Sequence, residues 1–225
     1  MTATAAHHIE VHRTAADGEG HSAGTRRMLA SLIAGTAVFG VVSLTQAVTR
    51  EGFDLTRHPL SLLSNGDLGW IQITNFIVSG LLLTLGGVGL RRALRGTPGG
   101  AWGPRLVLAY GIGILLCGPF VLQGGGGFPA DASEASGMTL GSVLHLAVGT
   151  IAFIALIAAC YVMGRHYART GRRGMALSSR IAATVFLAGD LYSSAQGPAG
   201  SLVLAFTCLT AMTWLAIVAA DARRG

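Results

Sequence analysis

Four side chains in a chain otherwise poor in ionisable groups could do chemistry: His58, Asp131, His145 and Asp190. Imidazole titrates near neutrality and moves protons well, so His58, Asp131 and His145 are candidate acid–base groups for a hydrolase or transferase. With Asp190 they are also a candidate divalent-metal set. Two histidines with one or two carboxylates suit zinc and leave a position open for water. No HxxxH or HExxH spacing puts two of them on one helix face, so this reading rests on residue type alone. Ser61 and Asp67 add a hydroxyl and a carboxylate beside His58. No nucleophile elbow surrounds Ser61, and Ser and Asp in such a segment commonly cap turns and helices instead.

The elements that must hold these groups are apolar and long. Six stretches, Met28–Val48, Leu68–Leu90, Leu106–Leu122, Val143–Met163, Ala176–Ser193 and Leu202–Ala220, stand near the ~20 residues with which a helix crosses a bilayer. The expected fold is all-α: an integral membrane bundle of six transmembrane helices over residues 27–225, preceded by a disordered tail over residues 1–26. The fifth stretch is the weakest, since Arg180 and Asp190 bracket its apolar core. It spans only if Arg180 snorkels, and a re-entrant segment is the alternative. The first stretch is longer than the 7–15 apolar residues of a signal-peptide core, which favours a retained span.

Composition agrees. Half the residues, 51%, are hydrophobic and 12% are charged, against roughly 25% charged in a soluble domain. The net charge of +6 comes entirely from arginine, with no lysine in the chain. That bias, with abundant Ala and Gly, suits a GC-rich bacterial coding sequence. The arginines crowd beside alternate helix ends: Arg26 and Arg27, then Arg91, Arg92, Arg95 and Arg105, then Arg165 to Arg180, then Arg223 and Arg224. Position therefore explains the charge better than nucleic-acid binding does, and no nucleic-acid partner is expected. Basic loops stay cytoplasmic, which places both termini inside and loops one, three and five outside a bacterial cell membrane.

The tail histidines His7, His8, His12 and His21 follow no helical or finger spacing. Cys117, Cys160 and Cys208 have no CxxC spacing and read as small apolar residues. The Gly124–Gly127 run reads as a flexible exit from the third span, since four glycines cannot hold a helix.

Polar groups gather in the outer half of the expected bundle. Gln46, Gln72, Asn75, His145 and Asp190 lie there, with Trp70 at the interface and Asp67 and Asp131 in the loops above. Polar side chains at membrane depth turn toward the bundle interior or a wet cavity. These eight residues are therefore the expected lining of a pocket that opens outward.

Two loop segments carry a resemblance. Gly52 to Trp70, reading GFDLTRHPLSLLSNGDLGW, and the FPAD stretch Phe128–Asp131 followed by His145 resemble a bacterial family of six-span membrane proteins. It is known as domain of unknown function nine-nine-eight. The resemblance runs from about Ala30 to Ala220. It implies a six-span fold and an outer-loop signature, and no catalytic residues.

Three function classes follow. The first is a transporter or accessory protein binding a lipid or small molecule in the outward pocket. The second is a structural or regulatory subunit, whose Gly-rich faces meet a membrane-protein partner and whose arginine loops meet anionic lipid. The third is the intramembrane hydrolase or transferase built on His58, Asp131 and His145.

Overall fold

A computed structural model describes residues 21–132 and 137–225. The expected tail therefore lies largely outside the described residues, as do His7, His8 and His12. Among the described residues six α-helices follow in order: α1 Ala23–Thr49, α2 Gly69–Ala93, α3 Trp102–Leu116, α4 Leu140–Arg169, α5 Arg173–Ser194 and α6 Gly200–Ala222. A 3₁₀ turn, Leu60–Ser64, lies between α1 and α2. Four of these helices, α1, α2, α4 and α6, are long and apolar enough to cross a membrane. Helix α3 is apolar but has 15 residues, and α5 is long but more polar.

Each helix packs on its successor, and α6 packs back on α1 to close a ring. The interior holds Leu29, Leu32, Tyr110, Leu156, Phe186 and Leu215, all without solvent exposure. The exterior stays apolar: Ile151, Ile154 and Phe206 are 61%, 61% and 69% exposed. Large apolar side chains this exposed are costly in water and cost nothing against acyl chains. Small residues set the helix spacing. A Cβ on Gly86 would stand 2.7 Å from Leu32 Cα, and one on Gly80 would stand 2.5 Å from Leu115 Cα. Glycine at these points lets backbones touch, the means by which helices associate in lipid.

The helix boundaries differ from the sequence expectation at several ends; α4, for one, runs six residues past Met163 to Arg169. Helix α1 starts at Ala23, capped by the Ser22 hydroxyl, which accepts the Thr25 N–H at 3.3 Å. Residues 23–26 thus belong to the helix and not to the tail. Helix α3 ends at Leu116, six residues before the expected end of the third span. The cause is Gly118-Pro119: proline bars its predecessor from the helical region and cannot donate to the ladder. Helix α5 is one uninterrupted helix of 22 residues.

The Gly124–Gly127 run, expected as an exit from the third span, enters a hydrogen-bonded reverse turn over residues 125–128. Gly125 and Phe128 exchange both backbone hydrogen bonds, at 2.9 and 3.2 Å. Between them Gly126 and Gly127 have φ of +65° and +92°, which glycine adopts without steric cost. At the opposite end of the bundle, the Arg172 guanidinium grips both carboxylate oxygens of Asp221 at 2.5 Å, tying the α4–α5 connection to α6. That bond is the first reason the Arg172 pKa is raised.

Candidate functional site

Beyond Leu116 the chain is non-helical, and its backbone polar groups need partners from elsewhere. Side chains supply them. His145, one turn into α4, donates from Nδ1 to the Phe120 carbonyl at 2.5 Å. Asn65 donates to the Leu122 carbonyl at 2.8 Å. The Gln123 N–H is taken by the Ser142 hydroxyl at 2.9 Å, and the Gln123 amide in turn accepts the Thr139 N–H at 2.7 Å. Residues that looked free for chemistry are thus first of all tethers of an unwound segment.

His145 keeps one nitrogen for other use. Because Phe120 O can only accept, the hydrogen sits on Nδ1, and in the neutral ring Nε2 is an acceptor. Its partner is the Ser61 hydroxyl at 3.0 Å, delivered by the 3₁₀ turn. The ring is buried and packs edge-on against Phe76, with centroids 5.7 Å apart.

His58 stands apart from this pair. Its Nδ1 accepts the Asp54 N–H and its Nε2 donates to Gly126 O, both at 3.0 Å. The ring is buried between Phe53 and Phe128. Arg57 reaches the same Gly126 carbonyl at 3.1 Å. Arg50 holds the carbonyls of Leu63 and Asn65 at 2.6 and 2.7 Å and lies 4.9 Å over the Phe128 ring. Loop one and loop three are therefore pinned together as one cap. Asp54 closes its own turn by accepting the hydroxyl and the N–H of Thr56, at 2.7 and 2.9 Å. These bonds hold its carboxyl below the usual range.

Two neighbouring hollows that share lining residues lie by this cap. One, of about 80 Å³, is apolar and runs inward among Phe39, Phe76, Ile114 and Leu209. The other, of about 640 Å³, has a polar rim of Arg57, Asp190, Ser193, Ser194 and Gln196. Ser61, His145, Gly149 and Ser201 line both, so the Ser61–His145 pair stands where the polar and apolar spaces meet.

Of the eight residues expected to line a pocket, His145 and Asp190 do so. Asp67, Trp70 and Asp131 are exposed. Gln46, Gln72 and Asn75 are buried between α1 and α2 and line neither hollow. They bond to each other and to Ser43 and Ser79: Gln46 Nε2 to Gln72 Oε1 at 2.8 Å, Gln72 Nε2 to Ser43 Oγ at 3.1 Å, Asn75 Nδ2 to Ser43 Oγ at 3.0 Å and Ser79 Oγ to Asn75 Oδ1 at 3.1 Å. The physical reason is that these amides and hydroxyls pair mostly with one another, Gln46 Oε1 alone among them having no partner. Polar side chains facing each other across two helices need no water once paired.

Nor do the expected metal ligands converge. His58 and Asp131 do not line the hollow that His145 and Asp190 share. Among the described residues no three His, Cys, Asp or Glu side chains lie close enough to hold an ion together. The three cysteines are buried and free. Sequence reasoning missed the Ser61–His145 bond, because 84 residues separate the partners. It also missed His166, which donates to the Pro98 carbonyl at the far end of the bundle. The available signal was Gly118-Pro119, which implies an unwound segment in need of hydrogen-bond partners.

Fold and site together define an all-helical protein with four candidate membrane spans, which point to a lipid environment, and a partly polar hollow capped by two interlocked loops. The chain belongs to the family described as "Protein of unknown function (DUF998)", whose sequence profile matches residues 33–221. No curated protein and no solved structure matches this sequence.

Proposed function

We propose that the protein is a six-span protein of a bacterial plasma membrane, with both termini cytoplasmic, that binds an amphiphilic lipid or small molecule in the hollow beneath loops one and three. The observation that carries this reading is the polarity gradient of the lined space. Arg57 and Asp190 stand at its rim, and its inner recess is walled by Phe39, Phe76 and Leu209. A charged or hydroxylated head would meet the rim and an acyl chain would meet the recess. Ligand sites of this kind are mostly apolar, with few polar groups to fix orientation. Supporting the orientation, Arg91, Arg92, Arg95, Arg165 and Arg169 cluster at the bundle end that carries the termini. The rim end is mixed in sign.

The test uses Gly149, which lines both hollows. A Cβ there would meet only Cys117 Sγ, at 3.9 Å, so a larger side chain can grow into the space. Purified protein in detergent should enhance and blue-shift the fluorescence of a dansyl-labelled fatty acid. Gly149→Phe should lose that signal at unchanged helicity, while Gly149→Ala keeps it. Equal binding by Gly149→Phe would refute the site.

A further inference from the structure

We propose that Ser61 and His145 form a nucleophile–base dyad that cleaves the acyl ester of an amphiphile held in this hollow. This rests on the amphiphile-binding reading and adds a reaction to it. Three observations carry it. The Ser61 hydroxyl lies 3.0 Å from His145 Nε2, within reach for proton transfer. The opposite ring nitrogen is held by the Phe120 carbonyl, which fixes the ring and keeps the hydrogen off Nε2. The pair also faces space on two sides, apolar and polar, where an ester between a chain and a head would lie.

Both groups come from segments the helix pattern does not require to meet. Ser61 rides on the 3₁₀ turn, whose Leu62 and Leu63 are buried beneath Phe128 and so fix its position. His145 rides on α4, whose N-terminus is set by the Thr139 cap on Ser142 N–H at 3.2 Å. The third member of the arrangement is a neutral carbonyl and not a carboxylate, so the dyad is of the weaker, two-residue kind.

The chemistry balances with water as the only co-reactant. Ser61 Oγ bonds to the ester carbonyl carbon as its proton passes to Nε2. The carbon–oxygen bond to the alcohol breaks, and the leaving oxygen takes that proton. Water then attacks the acyl–Ser61 ester and gives one proton to Nε2. The acid departs, and Ser61 Oγ recovers the proton from His145. Arg57 at the rim offers its positive charge to an anionic head.

The experiment exposes the full-length protein in detergent to an alkyl fluorophosphonate, which phosphonylates activated serines with loss of fluoride. Adducts are read by intact mass and peptide mapping. Expected is one adduct per chain, on the peptide carrying Ser61. It should be absent in heat-denatured protein and in Ser61→Ala, and formed at least about 100-fold more slowly in His145→Gln. Ser61→Ala should keep the helicity and thermal stability of the wild type, which shows an intact fold. If His145→Gln fails to insert, the Ser61→Ala comparison decides alone. Wild-type protein that binds the dansyl fatty acid and takes no adduct overturns the dyad and leaves the binding reading standing. Protein that does neither overturns both. Undiminished labelling of Ser61→Ala, or labelling at another serine, also overturns the dyad.

Discussion

Asn75 separates a wet pocket from a dry interhelical clamp, and its replacement by alanine gives a measurable difference. Its amide nitrogen has two hydrogens and three acceptors in range: Ser43 Oγ at 3.0 Å, Gln72 Oε1 at 3.2 Å and Phe39 O at 3.3 Å. At most two of these bonds are complete at once. Its oxygen takes a third bond from Ser79 Oγ at 3.1 Å. Side-chain hydrogen bonds between helices in lipid average about 0.6 kcal/mol and reach about 1.7 kcal/mol. Three of them amount to roughly 2 kcal/mol. Ser79 can recover part of this by turning to a carbonyl of its own helix, which brings Asn75→Ala to a loss of about 1–2 kcal/mol, or roughly a tenfold shift in the unfolding equilibrium. Reversible unfolding in mixed micelles, followed by circular dichroism, reads this directly. A companion variant, Asn75→Cys, should resist a membrane-impermeant thiol reagent, since position 75 is 3% exposed and lines neither hollow. A stability change below about 0.3 kcal/mol, together with rapid thiol modification, would refute the clamp and restore Asn75 to a water-filled pocket; that threshold lies well under the value of one bond.

His58→Ala removes a ring that satisfies Asp54 N–H and Gly126 O inside an aromatic cluster. Orphaned groups plus a cavity should cost about 2–4 kcal/mol of local stability. Proteolysis should then cut loop one or loop three at a rate the intact protein does not show. Gly86→Ala sets a gain in helix propensity of up to about 1 kcal/mol against overpacking of about 1–3 kcal/mol. Because the new Cβ would meet backbone, Leu32 N at 2.8 Å and Cα at 2.7 Å, the clash should win and thermal stability should fall. The Asp54 turn should depend on pH in a defined sense. A carboxyl whose folded pKa lies below its unfolded value stabilises fully above the unfolded value, near 3.9, and loses that contribution as pH falls through the folded one. Exchange of the Thr56 amide should therefore stay slow from pH 7 to 5 and gain an opening contribution only in stronger acid.

Much of the fold was legible because lipid imposes a simple rule: backbone groups at depth must pair within their own segment. Runs such as Leu68–Leu90 and Val143–Met163 announce helices on that ground alone. The weak reading of α5 was legible too, from Arg180 and Asp190. The early end of α3 was available in Gly118-Pro119 but was masked by the apolar Phe120-Val121-Leu122 that follows. Hydropathy counts side chains and does not register that a proline has stopped the ladder.

Some of the residues expected to share a site come together in the structure and others face different neighbours. His145 and Asp190 do line a common hollow, as their types and depth suggested. Gln72 and Asn75, three residues apart on one face, do point inward, but toward Ser43 and Gln46 and not toward water. A pattern of spacing tells which way a side chain faces. It cannot tell whether the facing surface is another amide or an opening.

The sequence by itself determined the helices, their lipid-compatible exteriors and the small residues that let them touch, because each of these follows from neighbours within a few positions. Only the tertiary structure decided which histidine meets which carbonyl. His58 on Gly126, His145 on Phe120 and Ser61, and His166 on Pro98 join residues 25 to 84 positions apart. Such pairings depend on where the irregular segments come to rest between helices, and that is fixed by the packing of the whole ring.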